Sequence, residues 1–288
     1  MKRPLLLTIT AAGLAAITLA GCGGDSSGSS GGSSGQSATQ ILATASAKTK
    51  QQTSYHVALT AKADVSAQKG ALGGQAGALL SQPLDISGEG TVQKPGDISF
   101  DLSTKIATSP IQINLTKVGD GLYVSVLGQS FQIPLPKGSV KSVDPTGLPS
   151  SIAGWITNPQ IVGDEDLAGT PTVHIRGDVD AVALTKDLES LANTVGSSGT
   201  VTKATAAQAQ AALQKGVVDV WVGTEDDLIH GADADVALKG KVDAIQGVDG
   251  LALTVSTRLS DFGTTVKITA PAGAKTLDLA NAGSLLGG

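Results

Sequence analysis

Tyr55-His56-Val57-Ala58-Leu59-Thr60-Ala61-Lys62-Ala63 alternates with a period of two. Tyr55, Val57, Leu59, Ala61 and Ala63 fall on one side, and His56, Ala58, Thr60 and Lys62 on the other. Successive side chains of an extended chain point to opposite faces, so the run predicts a half-buried strand.

Similar runs follow, each closed by turn residues. Asp85 to Gln93 leads through Lys94-Pro95-Gly96-Asp97 to Ile98 to Lys105. Ile111 to Lys117 meets Val118-Gly119-Asp120-Gly121 and then Leu122 to Val126. Leu127-Gly128-Gln129-Ser130 turns into Phe131 to Leu135. Gly, Pro and Asp supply the turn conformations, and the series reads as a meander of antiparallel hairpins. Further strands are expected at Val173 to Val179, Val217 to Val222, Leu228 to Leu238, Leu251 to Leu259 and Thr265 to Ala270.

Helical patterns are fewer. Ile41, Leu42, Ala45 and Ala47 give Ser37 to Gln52 a weak apolar stripe. Val182, Leu184, Leu188 and Leu191 place a second helix in Asp180 to Val195. The alanine-rich Thr202 to Lys215 predicts a third, stopped by Gly216. Ser139 to Gly154, with Pro145 and Pro149, reads as loop. The sum is one α+β domain: a long antiparallel sheet with a few helices. A large sheet curls, and helices laid over its concave side can enclose an apolar space.

The N-terminal segment obeys another grammar. Met1-Lys2-Arg3 is a basic start, Leu5 to Ala20 is apolar, and Leu19-Ala20-Gly21-Cys22 ends the segment. That order is a secretory signal with a lipobox, and Cys22 is the expected acceptor of a diacylglyceryl thioether. Cys22 is also the only cysteine, so no intramolecular disulfide can form. Gly23 to Gly35 is almost entirely Gly and Ser, a flexible coil with a reach of roughly 20 Å. The expected organisation is a signal peptide at 1–21, a tether at 22–36, a folded domain at 37–272 and a tail at 273–288. The mature protein is expected on the outer face of the cell membrane, held by its lipid anchor. Two acyl chains hold where a single chain binds only reversibly.

Composition narrows the function classes. The formal net charge of −5 becomes −7 once Lys2 and Arg3 leave with the signal. An acidic chain without a basic cluster does not bind nucleic acid. Aromatics are only 2% of residues, which disfavours sugar or base stacking.

Enzyme signatures are absent. His56, His174 and His230 have no metal-ligand spacing, and no G-x-S-x-G or phosphate-binding loop occurs. His174 and His230 sit in strand patterns and read as structural or exposed. Asp164-Glu165-Asp166 and Glu225-Asp226-Asp227 lack the spacing of a calcium loop and read as solvated turns. No cofactor, metal or catalytic residue is expected. Trp221 reads as core or cavity wall. Trp155 reads as core packing, a lid or a membrane-facing contact.

The remaining hint is aliphatic. Hydrophobic residues make up 41% of the chain and are dominated by Val, Leu, Ile and Ala. A sheet lined by them suits acyl chains, which need dispersion and exclusion of water. It equally suits a solid core. Candidate walls are the strand faces at Val57, Leu59, Val220, Val222, Leu253 and Val255. Alternation alone does not say which face of each strand points inward.

Several phrases occur in one order: Asp120-Gly121-Leu122-Tyr123-Val124, Asn158-Pro159-Gln160-Ile161-Val162-Gly163-Asp164-Glu165, and Gly169-Thr170-Pro171-Thr172-Val173-His174-Ile175-Arg176-Gly177. Val218-Asp219-Val220-Trp221-Val222, Asp226-Asp227-Leu228-Ile229-His230, Leu259-Ser260-Asp261-Phe262-Gly263 and Val266-Lys267-Ile268-Thr269-Ala270-Pro271 complete it. With the lipobox, this order resembles the actinobacterial LppX/LprG lipoprotein family over Ser37 to Pro271. The resemblance implies a curved antiparallel half-barrel of LolA/LolB type, with helices covering the concave face of a hydrophobic cavity. It implies an acylated lipid or glycolipid as ligand, carriage of that ligand across the cell envelope, and a lipid exporter as a possible partner. The glycine-rich insertion Lys69 to Ser81 departs from the family pattern at the expected cavity mouth. The alternative is an envelope lipoprotein that acts as a structural or sensory interaction module without lipid cargo.

Overall fold

The computed structural model describes residues 36–67, 83–106, 109–134, 154–184, 210–240 and 248–277. One helix, α1 (Ala38–Gln51), precedes twelve strands: β1 (Ser54–Ala67), β2 (Leu84–Gln93), β3 (Asp97–Ile106), β4 (Ser109–Val118), β5 (Gly121–Val126), β6 (Gln129–Ile133), β7 (Ile156–Leu167), β8 (Thr170–Val179), β9 (Leu213–Gly223), β10 (Ile229–Lys239), β11 (Val248–Ser260) and β12 (Lys275–Thr276). All twelve form one open sheet in the order β12-β6-β5-β4-β3-β2-β1-β11-β10-β9-β8-β7. Every pairing is antiparallel except β12 against β6. Sequence neighbours pair directly within β1 to β6 and within β7 to β11; β1 with β11 joins these two meanders, and β12 adds a second long-range pairing beside β6.

The chain runs up and down, so the sheet has two ends. The lower end carries the turns 94–96, 119–120, 168–169 and 224–226. The upper end carries the β5–β6 turn and the starts of β2, β4 and β11.

α1 begins in a capping box: the Ser37 hydroxyl accepts from Gln40 N and the Gln40 side chain accepts from Ser37 N. Its buried stripe is Ala38, Ile41, Leu42, Ala45 and Thr49. Ile229 N donates to Thr49 Oγ1 at 3.0 Å, and Lys48 reaches Asp227 at 2.6 Å, which fixes the last turn to the lower end.

Most strands lie within three residues of their expected bounds, and four readings are revised. Ile156 to Leu167 is a strand that the alternation does not announce. Asn158 has a left-handed φ of 50°, and two register shifts break the period. Pro159 is tolerated because β7 is an edge strand. The alanine-rich segment does not run helical to Lys215: residues 210–212 are helical and Leu213 to Lys215 pair with β10. Tertiary pairing there outweighs helix propensity.

Thr265 to Ala270 forms no ladder; Val266 N donates instead to the Gln93 side chain, and the segment lies beside His56 and Glu89. Asp164 to Asp166 lie within β7; the turn is Ala168-Gly169. Residues 181–184 form a helical turn at the expected second helix, with Asp180 Oδ1 accepting from Val182 N and Ala183 N at 2.8 and 3.0 Å. Lys69 to Ser81, residues 139–153, the rest of the second helix and residues 202–209 lie outside the described residues.

Candidate functional site

Residues directly opposite in a ladder share a face, so the register traces one apolar surface across the sheet. Val173 and Ile175 stand opposite Val222 and Val220, which stand opposite Ile229 and Ala232. Ala232, Ala234 and Val236 face Thr257, Val255 and Leu253, and these face Leu59, Ala61 and Ala63. The surface continues through Gly88 and Gly90 of β2, Leu102 and Phe100 of β3, Ile113 and Leu115 of β4, Val126 and Val124 of β5, and Phe131 of β6. All six candidate wall residues, Val57, Leu59, Val220, Val222, Leu253 and Val255, lie on it.

The surface has two parts. Over β8 to β10 it is packed: Ile175, Val218, Val220, Val222, Ile229, Ala234 and Val236 are buried in one cluster with Ile41, Leu42 and Ala45 of α1. Trp155 joins this cluster and is a core residue rather than a lid. At the lower end Tyr55, Val57, Val92, Ile98 and Leu259 belong to the same cluster. Over β4 to β6 and the upper parts of β1, β3 and β11 the surface is half-buried, where Leu59, Leu102, Ile113, Val124, Phe131 and Val255 all keep some exposure.

Thr104, Lys117 and Thr257 stand on the apolar surface, and each donates to a backbone carbonyl; Thr104 Oγ1, opposite Ile86 and Ile111, donates to Asp85 O at 3.0 Å. Thr257 Oγ1 donates to the Ala232 carbonyl at 2.9 Å. Lys117, opposite Ile98, carries its ammonium to the Gly96 carbonyl at the lower end.

The opposite face is polar. The period that puts Val220 and Val222 on the apolar surface puts Trp221 on the other, so Trp221 is not a wall of that surface. Trp221 stacks on His174 with centroids 4.7 Å apart, while the Arg258 guanidinium lies 4.9 Å from the ring centroid. Its Nε1 donates to Glu165 Oε2 at 2.7 Å. His174 places one ring nitrogen 3.1 Å from Glu165 and the other 2.6 Å from Asp219. Arg258 forks onto Asp233 at 2.5 and 3.0 Å. The hydrogen bond from Arg176 to Asp219, reinforced by the Asp219 charge, holds the Arg176 guanidinium above its ordinary range. This ladder crosses five strands, from Glu165 on β7 to Arg258 on β11. It is a filled, mutually satisfied network and leaves no free acid–base group.

The other two histidines also have carboxylate neighbours. His230 meets Asp226 at 3.0 Å and packs edge-on against Phe262, while Asp226 also accepts from Leu228 N. His56 stands 3.9 Å from Glu89. Among the described residues, no group of three or more His, Cys, Asp or Glu is arranged to hold a metal ion. No described helix is long and apolar enough to cross a membrane. Cys22 lies outside the described residues.

Shallow grooves of about 330 and 400 Å³ lie around Glu89 and Asp101, and one of about 560 Å³ lies between Asp101 and Leu127. The smallest is roofed by Val266 to Thr269.

No family model matches the sequence, and no curated protein matches it. Among solved structures the chain is similar to LprF from Mycobacterium bovis, with TM-score 0.47 and 17% identity over 82% of this chain and 97% of that one. It is similar to lipoprotein LppX of Mycobacterium tuberculosis, with TM-score 0.45 and 16% identity over 80% of this chain and 98% of that one. A LolA superfamily protein of Nitrosomonas europaea follows, with TM-score 0.27 and 11% identity over 81% and 96% of the two chains.

Proposed function

We propose that the chain is an exported lipoprotein, anchored through Cys22, whose domain holds acylated lipid or glycolipid against the apolar sheet surface and carries it across the cell envelope. The observation that carries this reading is the half-buried apolar surface over β4 to β6 and the upper parts of β1, β3 and β11. Leu59, Leu102, Ile113, Val124 and Phe131 are aligned by register yet not packed as the β8–β10 part is. Aliphatic side chains in such an array give dispersion and dehydration without directional bonds, which is what an acyl chain requires. Each methylene removed from water contributes about 0.8 kcal/mol. The chain is read as a carrier and not as an enzyme; in support, His174 and His230 are held by carboxylates in the pairs described above.

The test is extraction of the full-length, membrane-derived protein with organic solvent, followed by mass spectrometry of the extract and an uptake assay with a fluorescent diacyl lipid. Co-purified acylated lipid in near-stoichiometric amount, or saturable uptake, is expected. Protein that carries no lipid and takes up none would end this reading and leave the interaction-module alternative.

A further inference from the structure

The β5–β6 hairpin turns through two residues, Leu127 and Gly128, between the paired Val126 and Gln129. Both have positive φ, 51° and 77°, the geometry of a type I′ turn. Gly accepts that conformation freely, and Asn or Asp is favoured at the first position. Leu127 instead places a branched apolar side chain there, and that side chain is 87% exposed. The folded domain gains nothing from this leucine: the turn disfavours it and no packing compensates.

Its surroundings narrow the choice of partner. From Ser109 to Ile133 the only ionisable side chains besides Tyr123 are Lys117 and Asp120. Both of these lie at or next to the lower-end turn, away from the tip. Leu84, 38% exposed at the start of β2, lies at the same upper end. The lower-end turns are charged, with Asp120, Glu225, Asp226 and Asp227 beside Lys48, Lys94 and Lys117. The β5–β6 tip itself is therefore an uncharged, apolar projection.

We infer that the β5–β6 tip is a membrane-contacting finger, with Leu127 entering the headgroup region of the bilayer to which the chain is tethered. The inference rests on the anchoring part of the proposed function and is independent of the cargo. It would hold the upper end of the apolar surface against the lipid layer.

The test uses the full lipidated chain in vesicles of phosphatidylglycerol and phosphatidylethanolamine. Cys22 is the only native cysteine and is consumed by acylation, so Gln129→Cys gives a single site for a nitrobenzoxadiazole label beside the tip. The label is expected to emit at shorter wavelength than in water and to be quenched by shallow nitroxide-labelled lipids. Adding Leu127→Asn should return the emission to its value in water and abolish the quenching. Because Asn suits the turn, that variant should unfold at an equal or higher denaturant concentration. A label that emits as in water on the vesicles would overturn the inference, as would a shift that survives Leu127→Asn. A lowered unfolding midpoint for Leu127→Asn would also overturn it, by making Leu127 a packing residue. Lipid extracted from the same samples separates the two readings. Cargo without tip contact rejects only the finger, whereas tip contact without cargo supports the finger and rejects only the carrier.

Discussion

Gly88 and Gly90 stand on the apolar surface of β2 opposite Leu59 and Val57. A Cβ at Gly90 would lie 2.7 Å from Phe100 Cγ and would press on the Ser99 carbonyl. One at Gly88 would lie 2.7 Å from Leu102 Cδ2. The glycines let two large side chains of β3 lie over the β2 backbone, the inverse of an ordinary cross-strand pair. Gly90→Ala must move Phe100 and the β3 backbone, and overpacking of this kind costs about 1–3 kcal/mol. Urea denaturation should record that loss, while Ser87→Ala on the polar face stays within about 0.5 kcal/mol of the parent. Trp221 makes the complementary point: its large ring is accommodated because Gly231 stands opposite it, where a Cβ would approach its Cε3 to 3.2 Å.

Among the elements, β1 to β6 and β8 to β11 were legible because their alternation is long and their turns carry Gly, Pro or Asp. The six wall residues were legible as apolar positions, but their common face was not, since it follows from registers between strands far apart in sequence. The polar ladder had a signal that went unused: Val173 and Ile175 flank His174 as Val220 and Val222 flank Trp221, and the same period sends both rings to the other side. β7 was hidden for a physical reason, because an edge strand with Asn158, Pro159 and Gly163 satisfies fewer ladder bonds and has no alternation to keep. Predictions follow for two elements. Trp221→Ala removes the ring between His174 and Arg258 and should cost about 3–5 kcal/mol, the range for deleting a buried large aromatic. Trp221→Phe keeps a ring but removes the indole donor to the half-exposed Glu165, and should cost about 0.5–1.5 kcal/mol. Circular dichroism during urea unfolding measures both. Ser37→Ala opens the capping box of α1 and should cost about 1 kcal/mol, with faster amide exchange in the first turn of the helix.

At the scale of the molecule, the single apolar surface is divided by how it is packed. β8 to β10 and α1 form a dry cluster in which Val220 is fully buried. Leu59 lies on the same surface, half-buried between Gly88 and Thr257. A change of chemistry should therefore have opposite meanings in the two parts. Val220→Asp puts an uncompensated charge in the packed part, where a buried carboxylate without a partner costs several kcal/mol, enough to consume most of the stability of a domain. That variant should fail to give folded protein. Leu59→Trp fills space over the half-buried part without introducing charge. It should keep the circular dichroism spectrum and most of the unfolding free energy while lowering the lipid recovered by extraction and the uptake of fluorescent diacyl lipid. The pair separates a carrier surface from a solid core. If Leu59→Trp instead unfolds the protein as Val220→Asp does, the half-buried part is core and the ligand surface must be sought elsewhere. If it folds and binds lipid as the parent does, Leu59 lies outside the path of the acyl chains, and the same substitution at Val124 tests the β5 part of the surface.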